Sequence, residues 1–261
     1  MLLLVWKHRN LLVELTKREF SAKYMGSVGG VVWAFLQPIF LLAVYTTAFG
    51  VILKTRWGGG GGATDYAMML FAGLILFNAF SEVMIKSPSL ITANPNFVKK
   101  IVFPLELLPV VTVLSALMQA CISVVIWLVG YAIFFGFPSP TVVLFPFVLL
   151  IFAPMLLGIG WLFSAVGVVF RDVGQVSGML AHVMLFLTPI FYSVDTAPAF
   201  VRKALMINPL TFVVDEFRNV LFVGHGLSYF PCLAYFACAC LFAWFALQCF
   251  KLLRSSFADL V

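Results

Sequence analysis

LLPVVTVLSALMQACISVVIWLVGYAIFF, residues 107–135, runs for 29 positions without a charged side chain. As a helix it would rise about 40 Å at ~1.5 Å per residue, more than the roughly 30 Å hydrocarbon core of a bilayer. Its apolar residues are continuous rather than alternating with a polar lumen face, so the run predicts a transmembrane helix and not a barrel strand. Two similar runs precede it, at Val28–Leu53 and Tyr66–Ile85, and three follow, at Thr141–Phe170, Val176–Tyr192 and Tyr229–Phe250. Each is long enough to cross, the fifth only just. The composition agrees: 63% of residues are hydrophobic and 10% charged, with mean hydropathy +1.11, whereas soluble domains carry about 25% charged residues. Six crossings with their connectors use up 261 residues. The expected fold is therefore one all-α membrane domain with six transmembrane helices.

Lysine and arginine set the expected orientation. Lys7, Arg9, Lys17, Arg18, Lys23, Lys86, Lys99, Lys100, Arg171, Lys251 and Arg254 fall on one side of that topology, eleven residues against five on the other, Lys54, Arg56, Arg202, Lys203 and Arg218. By the positive-inside rule both termini are expected in the cytoplasm. The net charge of +6 is then a consequence of topology rather than a nucleic-acid footprint, and no nucleic-acid partner is expected. The opening residues interrupt their apolar character with charge almost at once, unlike a signal peptide. Leu4, Leu11, Leu12 and Leu15 share one helical face and Lys7, Asn10, Glu14, Lys17 and Arg18 the other. Residues 1–26 thus read as an interfacial amphipathic helix, with a solvated basic tail as the alternative.

Two polar stretches interrupt the apolar pattern. Between spans two and three lies KSPSLITANPNFVKKIVFPLE, residues 86–106. Asn94-Pro95-Asn96 initiates a turn, Phe97 to Val102 suits a short helix, and Pro104 stops it. Residues 193–228 are too polar to cross and contain two helix-like pieces, Ala199–Ile207 and Thr211–Val223, separated by Asn208-Pro209. Asparagine followed by proline breaks a helix. Val213, Phe217 and Leu221 recur at helical spacing, so this segment reads as an outer re-entrant helical hairpin before the last span, against the alternative of a surface loop. The glycine run 58–62 is a spacer without phosphate-binding context.

Chemistry-bearing patterns are sparse. No Gly-x-x-x-x-Gly-Lys-Ser/Thr occurs, so ATP hydrolysis by this chain is not expected. His8, His182 and His225 are far apart, and Cys238-Ala-Cys240 puts its thiols on different helix faces, so neither a metal site nor a catalytic site is expected. Asp215 and Glu216 are neighbours and diverge on a helix, which suits capping or pairing with Arg218 better than acid–base work. Ion-coupled carriers need ionisable groups near the midplane. Glu82, Glu106, Arg171 and Asp172 fall at cytosolic span ends, leaving His182 as the ionisable group deep in a span. Driving energy for active transport would have to come from a partner.

Four stretches in order resemble a known family. MLLLVWKHRNLLVELTKREFSAKYMGSVGGVVWAFLQPIF, with its basic interfacial segment and Trp-x-x-x-x-Pro in span one, looks like the opening of ABC-transporter permeases of the type-2 polysaccharide-export family. ANPNFVKKIVFPLELLP resembles that family's cytosolic coupling segment, FRDVGQVSGMLAHVMLFLTPIFY its span-four exit and span five, and INPLTFVVDEFRNVLFVG its outer re-entrant region. The resemblance implies a half-transporter of the bacterial inner membrane. Two copies would form the path along spans one and five, and two separate ATPase subunits carrying ATP and magnesium would dock beneath. The implied cargo is a lipid-linked polysaccharide such as O-antigen, capsular glycan or teichoic acid. An exporter of small hydrophobic compounds or lipo-oligosaccharides on the same fold is the alternative.

Within that frame, Asn94 and Pro104 bound the coupling helix, Phe97, Val98 and Ile101 are expected to fill a groove on the ATPase, and Lys99 and Lys100 to fix its edge. The alternative for the same helix is a membrane-surface role with its lysines on anionic lipid. Arg171 and Asp172 are expected to brace the interface, or else to form a plain interfacial salt bridge. Sugars offer apolar C–H faces and hydroxyls, so aromatic side chains suit a glycan path. Trp33, Gln37 and Phe40 on one face of span one, with Phe186, Phe191 and Tyr192 on span five, are the expected path-lining residues. Packing and lipid-facing roles compete for each of these aromatics.

Overall fold

The computed structural model describes residues 6–53, 62–99, 103–170, 172–194, 197–255 and 257. Ten α-helices are described: α1 Arg9–Ala22, α2 Trp33–Tyr45, α3 Ala63–Lys86, α4 Pro95–Lys99, α5 Leu107–Phe135, α6 Phe145–Val169, α7 Val173–Leu187, α8 Ala199–Ile207, α9 Pro209–Arg218 and α10 Tyr229–Arg254. No strand occurs among the described residues, and the all-α expectation holds. Five segments, those built on α2, α3, α5, α6 and α10, are long and apolar enough to cross a membrane.

The fifth expected span is shorter than its apolar run. α7 has 15 residues, a rise of about 22 Å at ~1.5 Å per residue, which falls short of a full crossing. The helix stops at Leu187 because Pro189 disfavours helical backbone in the residue before it, and Thr188 is extended with ψ 137°. The expected six spans are thus five full-length helices and one short one.

α3 is the hub. Within its most apolar window 78% of residues are buried, against 17% for the segment Gly30–Phe49 that contains α2. Phe71, Trp127, Phe152 and Phe217 are among the largest fully buried side chains of the core around it, and the Trp127 indole N–H donates to the Met68 carbonyl at 2.9 Å. A second cluster, including Leu12, Ile91, Phe103, Leu107, Trp161 and Phe250, closes the end of the bundle that carries α1 and the end of α10. This is the basic end.

α1 buries Leu12, Thr16 and Phe20, one stripe at four-residue spacing, and packs on α5. Leu11 and Leu15 are half-buried while Lys7, Asn10, Glu14, Lys17 and Arg18 are exposed, as the periodicity implies. Leu4 lies outside the described residues. The helix is therefore docked on the bundle through one face, not merely laid along a surface. Gly26, with φ 86°, separates it from the first span.

Small residues on α6 set its contacts. α6 and α10 form the most extensive helix pair, and Gly158 makes room there for the Phe242 ring. Further along, Gly160 faces Pro109, and Gly167 lies directly against the turn Ser87–Ser89 that follows α3. A methyl on Gly167 would overlap the Pro88 carbonyl oxygen and stand 2.5 Å from the Pro88 Cα. Such close backbone approach is what small residues permit in membrane bundles.

At the opposite end, α8 has the expected bounds, Ala199–Ile207. α9 starts at Pro209, earlier than the expected Thr211, because proline is preorganised for the first helical position. It continues through a π-helical turn, Asn219–Val223, to Gly224 in the left-handed region at φ 79°. The two helices are not equivalent. α8 exposes Phe200, Met206 and Ile207, whereas α9 buries Leu210, Val213, Val214 and Phe217 against the core. That burial excludes the surface-loop alternative for α9.

Candidate functional site

At the basic end, ion pairs tie α1 and the residues just after it to α3. Lys23 lies 2.6 Å from Glu82, Glu82 lies 3.1 Å from Lys86, and Lys86 lies 3.3 Å from Glu19. Burial pushes the Lys23 ammonium below its ordinary range, and the Glu82 carboxylate opposes that shift. Lys23, Glu82 and Lys86 border a cavity of about 450 Å³ between α2, α3 and α5, with Gln37, Asn78, Gln119 and Ser123 also on its walls. Tyr24 donates to the Gln119 side-chain oxygen at 2.8 Å, and the Gln119 amide donates to the Ala34 carbonyl at 3.0 Å. Polar side chains thus stitch the first span to α5.

From Lys86 the chain turns inward before reaching α4. Ser87 and Pro88 are buried, and the Ser87 hydroxyl donates to the Val83 carbonyl at 2.6 Å. Asn94 bonds back to the Leu90 carbonyl at 2.9 Å, which shapes the turn its sequence predicts. α4 begins at Pro95, two residues before the expected Phe97. Phe97 is half-buried and packs on Phe103 with ring centroids 4.7 Å apart, so one face of its ring is already occupied by its own chain. The side chains of Val98 and Lys99, and all of Lys100, Ile101 and Arg171, lie outside the described residues. Pro104 is half-buried and its carbonyl accepts from the Leu107 N–H at 2.9 Å, leading into α5. Asp172 is exposed at the N-terminus of α7, where its negative charge meets the positive end of the helix dipole.

Sequence reasoning missed the brace behind this segment. Glu106, 6% exposed, pairs with Arg254 at 2.7 Å, and its carbonyl accepts the Trp161 indole N–H at 3.0 Å. One residue thereby joins the end of the 86–106 segment to both α6 and α10. The available signal was an acid at the last position before an apolar span, with an arginine at the end of the final one.

The opposite end contains the other missed residue. Arg218 is 3% exposed and donates to the Met69 carbonyl at 2.9 Å, the Pro189 carbonyl at 2.6 Å and the Ile190 carbonyl at 2.9 Å. Asp215 lies 3.6 Å away. The expectation for Arg218, in the second piece of the outer re-entrant hairpin, is pairing with Asp215 or Glu216; the Asp215 contact holds, and the guanidinium also points into the bundle. Gly73 leaves the slot it occupies, since a Cβ there would stand 2.6 Å from Nη2. At the other end of α9, Asn208 caps the helix by accepting from the Leu210 N–H at 2.9 Å, and its amide donates to the Leu187 carbonyl and the Thr188 hydroxyl at 3.0 and 3.2 Å. Tyr66 donates to the Phe191 carbonyl at 2.6 Å. The break that ends α7 is therefore satisfied by side chains from α3 and α9. A glycine inside α3 and the Thr188-Pro189 step were its traces in the sequence.

The expected path residues divide into two groups. Trp33, Gln37 and Phe40 do share one face, and it is exposed; Gln37 also borders the cavity. Phe186 stacks on Phe191 at 5.9 Å, and Tyr192 donates to the Phe186 carbonyl at 2.9 Å. Phe49 links the first span to α3 and to the segment after α7, with centroids 6.2 Å from Tyr45, 5.3 Å from Tyr66 and 6.4 Å from Phe191. His182 is exposed on α7, with Nδ1 2.7 Å from the Gly178 carbonyl of its own helix. Among the described residues no group of three His, Cys, Asp or Glu could hold a metal ion.

Sequence similarity to known proteins extends along nearly the whole chain. The family model described as ABC-2 type transporter matches residues 10–222. An O-antigen export system permease protein, RfbA, of Myxococcus xanthus is 27% identical over 257 residues, covering 98% of this chain and 96% of that protein. The RfbA protein of Klebsiella pneumoniae is 23% identical over 222 residues, 84% of this chain and 83% of that protein. The polysialic acid transport protein KpsM of Escherichia coli is 26% identical over 213 residues, 80% of each.

Proposed function

The chain belongs to the ABC-2 type transporter family, and from that premise we propose that it is the permease subunit of an ATP-driven exporter of lipid-linked polysaccharide. The observation that carries the cargo is the near end-to-end similarity to a protein named as an O-antigen export permease. In this reading the chain works as a homodimer in the bacterial inner membrane, with both termini in the cytoplasm and two separate ATPase subunits beneath it supplying ATP and magnesium chemistry. The first span favours a paired arrangement: Trp33, Phe40 and their neighbours form an apolar face on the least buried of the long spans, and a two-fold partner would face it across a shared path.

Coupling would enter at the segment 86–106. Asn94, Phe97, Val98, Lys99, Lys100, Ile101 and Pro104 are its proposed contact residues, with Arg171 and Asp172 at the neighbouring corner. Two rigid contacts would carry motion inward. The Ser87–Ser89 turn bears on Gly167 of α6, and Glu106 bears on Arg254 of α10. Because interiors are close-packed, a push at the Gly167 contact would displace α6 rather than being absorbed, while the half-exposed Glu106–Arg254 pair would tether α10. The exposed side of Phe97 remains for the partner. Gln37, Phe186, Phe191 and Tyr192 are proposed path residues with Trp33 and Phe40, and we add Tyr45 and Phe49 to the proposal because Phe49 lies against Phe191.

The test is deletion and complementation, with surface glycan and drug resistance measured together. Loss of surface glycan, restored by this chain with its ATPase, is expected. Unchanged glycan with lost drug resistance would instead select the small-molecule exporter. For coupling, Phe97→Ala with Ile101→Ala is expected to abolish ATPase co-purification and export; retention of both would remove the segment from the docking site.

A further inference from the structure

A buried guanidinium is retained at a cost unless its donors find partners, and besides Asp215 at 3.6 Å Arg218 has three backbone carbonyls as acceptors. Two of its three carbonyl acceptors, Pro189 and Ile190, belong to the break after α7. The third, Met69, belongs to α3. Backbone that leaves a helix at membrane depth is tolerated only where protein groups take over its hydrogen bonds, and here both ends of α9 do so. Asn208 holds Leu187 and Thr188 while Arg218 holds the next two residues. The helix is thus a clasp spanning the break, with the Arg218 guanidinium seated in the slot that Gly73 leaves open.

The clasp also sets aromatic geometry. Phe186 and Phe191 lie on either side of the break and stack at 5.9 Å, a relation that would change if the intervening residues became helical or swung outward. Side-chain clasps differ from helical hydrogen bonds in that a planar five-donor guanidinium can exchange carbonyl acceptors without leaving its site, whereas a lysine ammonium is a compact charge without that fixed fork.

Resting on the exporter reading, we propose that Arg218 is a positioning residue for export: together with Asn208 it holds the Leu187–Ile190 break against α3, fixes the Phe186–Phe191 pair at the outlet, and lets the outer end of α7 move with α9 during transport. The test uses the complete permease–ATPase complex in proteoliposomes, with polyprenyl-diphosphate-linked polysaccharide extracted from the expression host as the probe. Glycan moved per ATP hydrolysed is compared for wild type, Arg218→Lys, Arg218→Gln and Asn208→Ala, and thermal stability is measured on the same preparations. Arg218→Gln is expected to lower that ratio about tenfold, roughly the factor carried by one lost charge-assisted hydrogen bond, with ATP hydrolysis retained. Arg218→Lys should fall between the two. A purely structural role would lower thermal stability and the amount of complex but leave the ratio unchanged, and that result would overturn the clasp. Should Arg218→Gln fail to fold, Asn208→Ala, which removes one end of the clasp, is expected to lower the ratio to a smaller degree, and an unchanged ratio there overturns the proposal equally. Absence of ATP-dependent glycan movement by the wild-type complex would instead overturn the exporter reading, and the clasp with it.

Discussion

Gly167→Ala adds one methyl where α6 meets the turn Ser87–Ser89. That methyl would overlap the Pro88 carbonyl oxygen and lie 2.5 Å from the Pro88 Cα, whereas carbon atoms rest at about 3.5–4.0 Å. The clash is with backbone on a buried turn, so no side chain can rotate away and the turn and helix must separate by about 1 Å to restore contact. Overpacking of this kind costs about 1–3 kcal/mol, and each kcal/mol lowers the midpoint of a chain this size by about 2–4 °C. The separation falls on the proposed route from the ATPase to α6, so export should fall further than stability alone explains. The assay is thermal unfolding of purified complex, followed by surface glycan and ATP hydrolysis at a temperature where the variant is fully folded. Gly174→Ala on α7 is the control, since a Cβ there meets nothing within 4 Å. Equal midpoints and equal export for the two variants would refute the reasoning.

Two smaller perturbations follow from the same geometry. Tyr66→Phe removes the 2.6 Å bond to the Phe191 carbonyl and is expected to cost about 1 kcal/mol, read as a lower unfolding midpoint; no change would mean the break is held without it. Replacing Glu106 by Gln, Arg254 by Met, and both together forms a double-mutant cycle. Arg254 keeps 44% of its side chain exposed, so a coupling energy of about 1 kcal/mol or less is expected after solvent screening, and a value several-fold larger would show the pair to be more enclosed than its exposure indicates.

Much of this architecture is legible in the sequence because hydropathy and helix punctuation are local properties. Ala199–Ile207 is found to the residue, since Asn208-Pro209 ends it, and the exposed polar face of α1 follows from its spacing, whereas its buried stripe is Leu12, Thr16 and Phe20 and of the expected leucines only Leu12 belongs to it. The fifth apolar run outlasts its helix for the same reason. Leu187 to Tyr192 is as apolar as a helix would be, and composition does not reveal that the backbone there is held by Asn208, Arg218 and Tyr66 from other elements. Phe97 illustrates the converse. Its helical setting was readable, but its packing on Phe103 depends on how the chain returns after α4, a non-local fact. Arg218 was hidden by Asp215 and Glu216, which offered a sufficient local explanation for its charge.

The acceptors of Arg218 carry a consequence for biogenesis. Met69, Pro189 and Ile190 all precede it in the chain, and synthesis delivers N-terminal segments first. The guanidinium therefore emerges after its receptor has been made, and it can be desolvated as soon as α3 and the end of α7 have come together. In a nascent chain in which those two helices have not met, the guanidinium would stay in water beside Asp215, so the seating of α9 would report that α3 and α7 have come together before the final span, which follows only eleven residues later.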